Sequence, residues 1–365
     1  MNLRAEPLIF QPIYKETIWG GEALRTRFKR PLASGRTIGE SWEVVSLGAD
    51  QSVVAQGERA GTTLGRCAAE APAELLGTGG ASGKFPLLFK IIDARERLSV
   101  QVHPDDAQAR EHGWGDYGKT ECWYVIDARE NARIVVGFRE EVSRERIGRA
   151  IETESLDLLL NAVQVKCGDV LFIPAGTVHA IMEGILLYEV QESSDTTLRL
   201  YDWGRVDTSG KGRPLHVREG LSVVDTHARD HRPLVPVVVD EGGCRHSYLS
   251  ACRYFALERY AFSQDEEVSL PAKQSFRVLT AVNGTIRLRY AAGSTEVTAG
   301  TTAVLPAILR DVHASGSAGA GFLLSSVPDL EQEIIAPLRR RGVPDAAIAQ
   351  LGGFPERNDL ADFLQ

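Results

Sequence analysis

The chain has 365 residues, of which 43% are hydrophobic and 25% charged, a balance that excludes a disordered tail, a collagen and a coiled-coil rod. Its 41 lysines and arginines against 49 aspartates and glutamates give a net charge of -8, which argues against a generally basic surface for nucleic acid or anionic membrane. We therefore expect a globular protein with two core-forming modules.

The lack of a targeting signal and the pattern of the cysteines both predict a reducing compartment. The N-terminus lacks the apolar run of a signal peptide, and no segment has the roughly 18 uninterrupted apolar residues of a membrane-spanning helix. The five cysteines are odd in number and show no Cys-x-x-Cys spacing, which disfavours disulfides and a cysteine zinc site. We expect a cytoplasmic protein, either a monomer or a homodimer, that binds neither nucleic acid nor membrane.

The first elements predicted along the chain are a loop, a set of strands and one helix. The glycine-rich run 77–83 predicts a flexible loop, either a lid or a surface excursion. Residues 90–201 alternate between short strands and glycine, proline or aspartate turns, as in an all-β barrel or sandwich. Over 143–161, apolar residues such as Ile147 and Leu158 recur at three- and four-residue spacings and predict an amphipathic helix.

A second group of strands is predicted over 254–327. Its β-branched runs are 276–290 and 295–305, with a turn signal at Asn283-Gly284. The expected fold is therefore mostly β, with two β-modules.

The end of the chain has a different pattern. After Asp329 the apolar residues follow a helical period, until Gly342 and Pro344 end it. We expect a short helical C-terminal tail behind the second β-module.

Chemistry-bearing residues begin on the strand 98–103. Its alternation places Ser99, Gln101 and His103 on the face opposite Val100 and Val102. If the strand belongs to a barrel, this polar row lines its mouth.

Two later strands add a carboxylate and a second histidine. Lys119 precedes a strand on which Glu121 and Trp123 share a face, and the spacing Gly-x5-Pro-x-Gly-x2-His presents His179 directly after a turn. Two histidines and one carboxylate, with the amide of Gln101 nearby, suit a divalent ion such as zinc.

The strands that follow carry further polar groups. Glu189 and Gln191 share one face of their strand. On the next strand, Arg199 lies on the face opposite Leu198 and Leu200. The remaining histidines have no comparable motif of metal-binding residues near them in the sequence, and we expect them at the surface: His112, His216, His227, His231, His246 and His313.

These motifs carry a family resemblance. Residues 168–179 resemble the second motif of the cupin β-barrel, and Gln101-x-His103 with Glu121 is an altered form of the first. Together with Gly-Lys-Thr-Glu-Cys-Trp-Tyr at 118–124, Pro-Ala-Gly-Thr-Val-His-Ala at 174–180 and Leu-Arg-Leu-Tyr-Asp at 198–202, the chain resembles the short bacterial form of the type I mannose-6-phosphate isomerase family.

The resemblance implies a role for each matching residue. His103, Glu121 and His179 would ligate one Zn²⁺, and Gln101 stands where longer members supply an amide ligand. Arg199 matches the catalytic arginine. The substrate would be bound by residues that match the sugar site or its phosphate end: Lys90, Ser99, Gln101 and Lys119.

The resemblance also implies the domain organisation. Residues 1–235 would form the catalytic cupin domain, with N-terminal strands and the helical segment 143–161, and 236–328 a second cupin module. In that module Ile308 and Asp311 replace the expected Gly and His, so it is degenerate and has no metal site. The helical tail 329–365 has no counterpart in the family.

The implied reaction interconverts mannose 6-phosphate and fructose 6-phosphate through an enediol, so it needs a base beside a carbon acid and stabilisation of an oxyanion. Lys119, Glu189 and a zinc-bound water are alternative bases. Two other functions are open on a cupin barrel: an iron-dependent oxygenase, which usually has three histidines and one glutamate, and a sugar-binding regulator.

Overall fold

The computed structural model describes residues 3–80, 83–206, 210–354 and 358–364, and it is mostly β, as predicted. Contacts divide the chain into two compact units. The central unit comprises Tyr14–Glu40 and Ile91–Pro233, and the split unit comprises Met1–Ile13, Ser41–Lys90 and Leu234–Gln365. No helix in the described part of the chain is long and apolar enough to cross a membrane.

The elements are as follows. Within the described residues the strands are, in chain order from β1 to β25, Leu8–Gln11, Ile13–Gly21, Ile38–Val44, Ser46–Leu47, Asp50–Gln51, Val53–Val54, Leu87–Ala94, Val100–Val102, Glu121–Ala128, Arg133–Phe138, Leu160–Gln164, Val170–Ile173, His179–Ile181, Ile185–Glu192, Leu198–Tyr201, Val237–Glu241, Cys244–Ala251, Ala256–Phe262, Glu266–Leu270, Arg277–Asn283, Thr285–Tyr290, Gly293–Thr298, Thr302–Leu305, Val312–Gly316 and Gly321–Ser326. The helices α1 to α8 are Ala23–Thr26, Leu64–Glu70, Pro72–Leu75, Asp106–Glu111, Arg144–Glu152, Val217–Val223, Ala336–Arg340 and Asp345–Gln350. Shorter turns are the 3-10 turns Leu156–Leu158 and Ala361–Phe363 and the π-helical turn Leu330–Ile335.

Two antiparallel sheets build the central unit. One has the order β11-β10-β13-β8-β15, and the other has β12-β9-β14 followed by the central-unit parts of β7, β2 and β3. Apolar side chains of both sheets, including Trp123, Ile134 and Leu171, form one core. Val100 and Val102 of β8 are fully buried in a second cluster with residues of α5 and α6, which confirms the alternation predicted for this strand.

The predicted helix 143–161 is shorter than expected. α5 begins after Ser143, whose hydroxyl accepts a hydrogen bond from the Arg146 amide, and ends at Glu152. Glu154 then takes a φ of 53°, a left-handed conformation that an α-helix cannot continue through. The prediction is therefore wrong beyond Glu152, and Leu158, expected on the buried face, is 68% exposed.

In the split unit, two large antiparallel sheets have the orders β16-β17-β18-β25-β20-β23-β1-β6 and β19-β24-β21-β22, and β4 and β5 form a further two-stranded sheet. β1 belongs here because Leu8 pairs with Val304 of β23 and Phe10 with Val54 of β6. The units therefore divide the chain differently from the predicted limits at 235 and 328. Long-range strand pairing, which no local pattern encodes, takes the N-terminal strand into the second β-module.

The turn signal at Asn283-Gly284 and the glycine-rich run 77–83 both take part in the packing of the β-structure. β20 and β21 flank Asn283-Gly284 but lie in different sheets, so this turn is a corner between sheets and not a hairpin. In the glycine-rich run, Gly77 forms a bridge with Ser275, and the Thr78 amide donates to the Gln274 carbonyl over 3.1 Å. Residues 81 and 82 of that run lie outside the described residues.

The C-terminal tail is helical, as predicted, and packs within the split unit. Leu330, Ile334, Ile335 and Leu338 are buried in a cluster that includes Tyr248 of β17. Pro337 has no N–H to give to the Glu333 carbonyl, which removes one α-helical hydrogen bond beside the π-helical turn. The tail is thus part of this unit's core and not an appendage.

Truncating the tail's apolar face should destabilise the protein. Leu338→Ala removes a fully buried side chain from a packed cluster, so the free energy of unfolding should fall by about 2–5 kcal/mol in urea denaturation. Arg339→Ala, one residue along and exposed, is the control and should change it by less than about 0.5 kcal/mol. Equal midpoints for Leu338→Ala and the parent chain would show that the tail does not belong to the core.

Two histidines are not surface residues, contrary to prediction. His231 is buried, and His246 is buried on β17 with its Nε2 2.7 Å from Glu258 Oε2. Lys273 lies on the other side of that carboxylate, with Nζ 3.2 Å from Oε1. The prediction failed because Glu258 and Lys273 come from a neighbouring strand and a later loop.

Acid should weaken the fold partly through Glu258. Burial alone would raise the pKa of Glu258, but the Lys273 ammonium and the His246 hydrogen bond outweigh it and lower the pKa to about 2. The carboxylate therefore contributes stability that is complete above its ordinary pKa of 4.5 and is lost as the pH falls toward 2.

The size of that contribution can be measured. A shift of this size corresponds to about 3 kcal/mol, so Glu258→Gln should flatten the fall in unfolding free energy between pH 4.5 and the acid limit. Glu331→Gln, at an exposed site, should keep the parental slope. Identical slopes for Glu258→Gln and the parent would contradict this assignment.

Candidate metal centre

Three strands of the central unit bring His103, Glu121 and His179 together. His103 follows β8 directly, Glu121 is the first residue of β9, and His179 is the first residue of β13. β13 pairs with β8 so that His179 lies opposite Gln101. One ligand atom from each of the three side chains lies within 4.8 Å of the others, and all three side chains are buried. The cluster could therefore hold a metal ion.

Backbone carbonyls set the orientation of both imidazoles. His103 Nδ1 lies 2.8 Å from the Thr196 carbonyl oxygen, and His179 Nδ1 lies 2.8 Å from that of Thr177. Because a carbonyl only accepts, each Nδ1 carries the proton and each neutral ring has its lone pair on Nε2. Those two Nε2 atoms face Glu121, at 3.4 Å from Oε1 and 3.7 Å from Oε2. This is the orientation that metal-ligating histidines need.

His179 is held in the neutral form. Burial lowers the pKa of His179 to about 4, against the opposing effect of its hydrogen bond to Thr177. The Trp123 ring meets the imidazole edge-on, with 5.3 Å between ring centroids. A neutral imidazole is the form that binds metals near pH 7.

A cation already lies among these donors. The Lys119 ammonium donates to Glu121 Oε1 and to His103 Nε2, the latter over 3.2 Å. Lys119 and Glu121 are both almost completely buried, at 3% and 0% exposure. The donor set therefore faces a positive charge, which fits a site for a metal cation.

Gln101 lies beside the cluster. Its Nε2 donates to His179 Nε2 over 3.3 Å, and the side chain is partly exposed. Rotating the amide by half a turn would direct its oxygen toward the same point. The position is compatible with the predicted amide ligand.

Glu189 is fixed by the barrel core. It lies opposite Trp123 in the β14–β9 pair, and its Oε2 accepts a hydrogen bond of 2.7 Å from the Trp123 indole. The side chain is 2% exposed. A buried carboxylate on this strand is consistent with the predicted candidate base.

Arg199 lies on β15, opposite Gln101 of β8. Its Nε donates to Ser99 Oγ over 3.3 Å and its Nη1 to the Pro214 carbonyl over 3.0 Å. Burial lowers the pKa of the guanidinium, and Arg213 lowers it further. Ser99 and Pro214 therefore set where this cation points.

The central unit contains a cavity of about 470 Å³, and Pro214 is one of its lining residues. Arg205, Lys211 and Arg213 line it together with Trp19, and Asp202 pairs with both arginines. Lys211 and Arg213 were not among the residues predicted from the sequence. Their signal was a short basic run after the strand of Arg199.

Glu192 was also missed. Burial, with the nearby Asp106 carboxylate, raises the pKa of Glu192 to about 8, and its Oε1 accepts a 2.8 Å hydrogen bond from the Thr120 amide. Thr120 joins Lys119 to Glu121, so Glu192 anchors the backbone between two candidate site residues. Its sequence signal, a third acidic or amide residue on β14, was too general to single it out.

Lys90 belongs to the split unit and not to the unit that holds the cluster. It is buried on β7, with its ammonium 5.1 Å from the centroid of the Trp42 ring. Its predicted part in phosphate binding stays a prediction.

Known proteins are similar to this chain in sequence and in fold. The family model "Phosphomannose isomerase type I, catalytic domain" matches residues 8–131. The mannose-6-phosphate isomerase ManA of Bacillus subtilis is 39% identical over 292 residues, which cover 78% of this chain and 88% of that protein. The mannose-6-phosphate isomerase of Streptococcus mutans is 46% identical over 220 residues, covering 60% of this chain and 68% of that protein.

A solved structure of a mannose 6-phosphate isomerase has a similar fold. The crystal structure of a mannose 6-phosphate isomerase from Bacillus subtilis superimposes with a TM-score of 0.80 at 31% identity, and the match covers 87% of this chain and 99% of that one. The predicted cupin fold class is thereby confirmed. The chain belongs to the type I mannose-6-phosphate isomerase family, whose members are aldose–ketose isomerases.

Proposed function

We propose that this chain interconverts mannose 6-phosphate and fructose 6-phosphate through an enediol, with one Zn²⁺ held by His103, Glu121 and His179. The observation that carries the proposal is the buried His–Glu–His cluster, whose two imidazoles are oriented by carbonyls with Nε2 toward the carboxylate. Membership of an isomerase family supports the substrate.

The donor set fits zinc. Two imidazoles and one carboxylate are typical ligands of a zinc ion that keeps a position open, and Gln101 is the candidate fourth ligand. When bound, the ion would supply Lewis-acid polarisation of the substrate's oxygens.

Arg199 would stabilise negative charge as it develops on those oxygens. A guanidinium stays charged and offers a fork of donors, and here Ser99 and Pro214 hold it in place. A cation that is already oriented costs no reorganisation during the reaction.

The proton between C1 and C2 would be moved by Glu189 or Lys119. Glu189 has one oxygen held by the Trp123 indole, and Lys119 is buried beside the cluster, with its Nζ 3.2 Å from His103 Nε2. As the base, Glu189 would act as a carboxylate and become a neutral carboxylic acid when it takes the C2 proton, whereas Lys119 would act as a neutral amine and become an ammonium.

Matched isosteric variants separate the two bases. Whichever residue is the base, its replacement by Glu189→Gln or Lys119→Met should abolish exchange of the substrate's C2 proton with solvent while metal content is retained. The other variant should keep measurable exchange. Full exchange in both variants would exclude both residues.

The phosphate would be bound by Ser99 and Lys90, as the resemblance implies, or by the basic cavity of Arg205, Lys211 and Arg213. The cavity is supported by its three cations in the same unit as the metal centre. Lys211→Ala should raise KM for mannose 6-phosphate if the cavity binds the phosphate. An unchanged KM there, with a raised KM in Ser99→Ala, would favour the predicted site.

The proposal is tested by a coupled assay with mannose 6-phosphate, run with metal analysis of the same sample. Formation of fructose 6-phosphate with one zinc per chain is expected. Iron-dependent oxygen consumption without isomerisation would instead identify an oxygenase. Tight sugar-phosphate binding without turnover would identify a regulator.

We also propose that the protein works in the cytoplasm. All five cysteines are free thiols, four of them buried, as expected of a protein kept in a reducing compartment.

A further inference from the structure

The split unit contains a cavity of about 370 Å³ that takes no part in the proposed reaction. Its walls are formed by β17 and β18, by the end of β19 with the loop that follows it, and by the C-terminal tail. The lining side chains are those of His246, Tyr248, Tyr260, Ser269, Lys273, Gln332, Glu333, Arg340 and Arg341, with Pro271, Ala272 and Pro337 between them.

The strand wall is aromatic. His246 and Tyr260 are cross-strand partners whose rings stack with centroids 4.2 Å apart, and Tyr248 lies 4.6 Å from His246. Tyr260 stacks in turn on Phe322 of β25, at 4.8 Å. The stack holds these buried rings rigidly, so the ring edges that line the cavity form a fixed wall against which a ligand can pack.

The inner end of the cavity is charged. Glu258 lies between His246 and Lys273, and all three side chains are at most 4% exposed. Losing one partner of a buried ion pair is costly, but apolar side chains of the same size can often replace the whole pair without loss of stability, so the fold does not require charges at this position. Lys273 offers three N–H donors, and the cavity reaches it.

Glu333, one of the lining residues, has a carboxylate with one oxygen that lacks a hydrogen bond within the described residues. Its Oε1 accepts from the Gln274 amide over 3.1 Å, whereas Oε2 is buried and accepts no hydrogen bond from the part of the chain that the structure describes. The nearest cation to Oε2 is Lys273 Nζ, at 3.7 Å. A buried acceptor of this kind normally has a donor, and a ligand hydroxyl would supply one. Glu333 lies in the π-helical turn, a conformation that is frequent at functional sites.

The outer end carries two exposed arginines, Arg340 and Arg341, which follow the turn on α7. With Lys273 they give three cations against the two carboxylates of Glu258 and Glu333. The carboxylates lie at the inner end, so the mouth is positive. Guanidinium pairs bind phosphate through several charge-assisted hydrogen bonds. Arg339 pairs with Asp345 at 2.8 and 2.7 Å and is not among the residues that line the cavity.

We propose that this cavity is a second binding site, for a sugar monophosphate. The apolar face of the sugar packs on His246 and Tyr248, a hydroxyl donates to Glu333 Oε2, and the phosphate is bound by Arg340 and Arg341. The site lies in the unit that does not contain the metal centre, and the proposal does not depend on the isomerase reaction.

Hydrogen–deuterium exchange on the full chain, with glucose 6-phosphate as the probe, locates the binding. Amides of residues 244–251 and 330–341 should exchange more slowly when the probe is present. Slower exchange confined to 98–103 and 119–125 would place the probe at the metal centre alone and overturn the proposal. Unchanged exchange over both 244–251 and 330–341 would overturn the proposal.

Surface variants test the phosphate contacts without disturbing the core. In calorimetric titration, R340S/R341S should weaken binding at this site by at least about tenfold, because two charge-assisted contacts are lost. R339S removes one arginine from the same helix and should leave binding unchanged. Equal affinities for the parent and R340S/R341S would overturn the proposal.

Fragments of the probe test its two parts. Glucose and inorganic phosphate should each bind at least about tenfold more weakly than glucose 6-phosphate, since each makes only part of the contacts. Inorganic phosphate binding as tightly as the probe would reduce the site to a simple anion site and overturn the sugar assignment. Tighter binding of adenosine monophosphate would overturn it in favour of an aromatic ligand.

Discussion

Replacing His179 by alanine should remove both the bound metal and the isomerase activity. The imidazole is buried, neutral and oriented by the Thr177 carbonyl, so its replacement removes a preoriented Nε2 lone pair from the donor set. We expect metal content well below one ion per chain and a fall in kcat/KM of more than about a hundredfold. His103→Ala should behave in the same way, because its Nε2 faces the same carboxylate.

The control for both variants is His227→Ala, at an exposed histidine paired with Asp225. It should retain metal and activity. If His179→Ala or His103→Ala kept both, the assignment of the metal centre would be wrong. Metal content is measured by elemental analysis, and circular dichroism shows that each variant is folded.

Arg199→Ala should separate charge stabilisation from metal binding. Among the described residues the guanidinium donates its hydrogen bonds to Ser99 and the Pro214 carbonyl, so metal content should stay at the parental level. Losing a preorganised cation beside a developing oxyanion should lower kcat by about two to three orders of magnitude.

Two further variants make this result specific. Arg199→Lys keeps the charge but loses the fork and should recover only part of the activity. Arg133→Ala, at an exposed arginine of β10, should behave like the parent. Loss of metal in Arg199→Ala would show that the residue is structural and not catalytic.

The metal centre could be predicted because its signals are local. The period-two alternation of 98–103 fixes the face of Gln101 and His103, and the spacing from Gly168 to His179 fixes a strand, a turn and the next strand. Strand pairing then brings Gln101 opposite both His179 and Arg199. A regular backbone turns these short patterns into a three-dimensional cluster.

Non-local pairing could not be predicted in the same way. Nothing near Leu8 indicates that it pairs with Val304, and the choice of partner depends on which edges the finished sheet leaves available. His246 shows the same limit, because its partners Glu258 and Lys273 follow no sequence motif. For α5, the periodicity was correct, but the left-handed Glu154 ends the helix early.

The most direct test of the central claim is deuterium incorporation at C2 of mannose 6-phosphate, followed by NMR in deuterated water. The zinc-loaded protein should exchange this proton while forming fructose 6-phosphate, a chelator should stop both, and added zinc should restore both. Conversion at an undiminished rate after complete removal of the metal would contradict the account. So would zinc-loaded, folded protein that leaves both the C2 proton and the sugar unchanged.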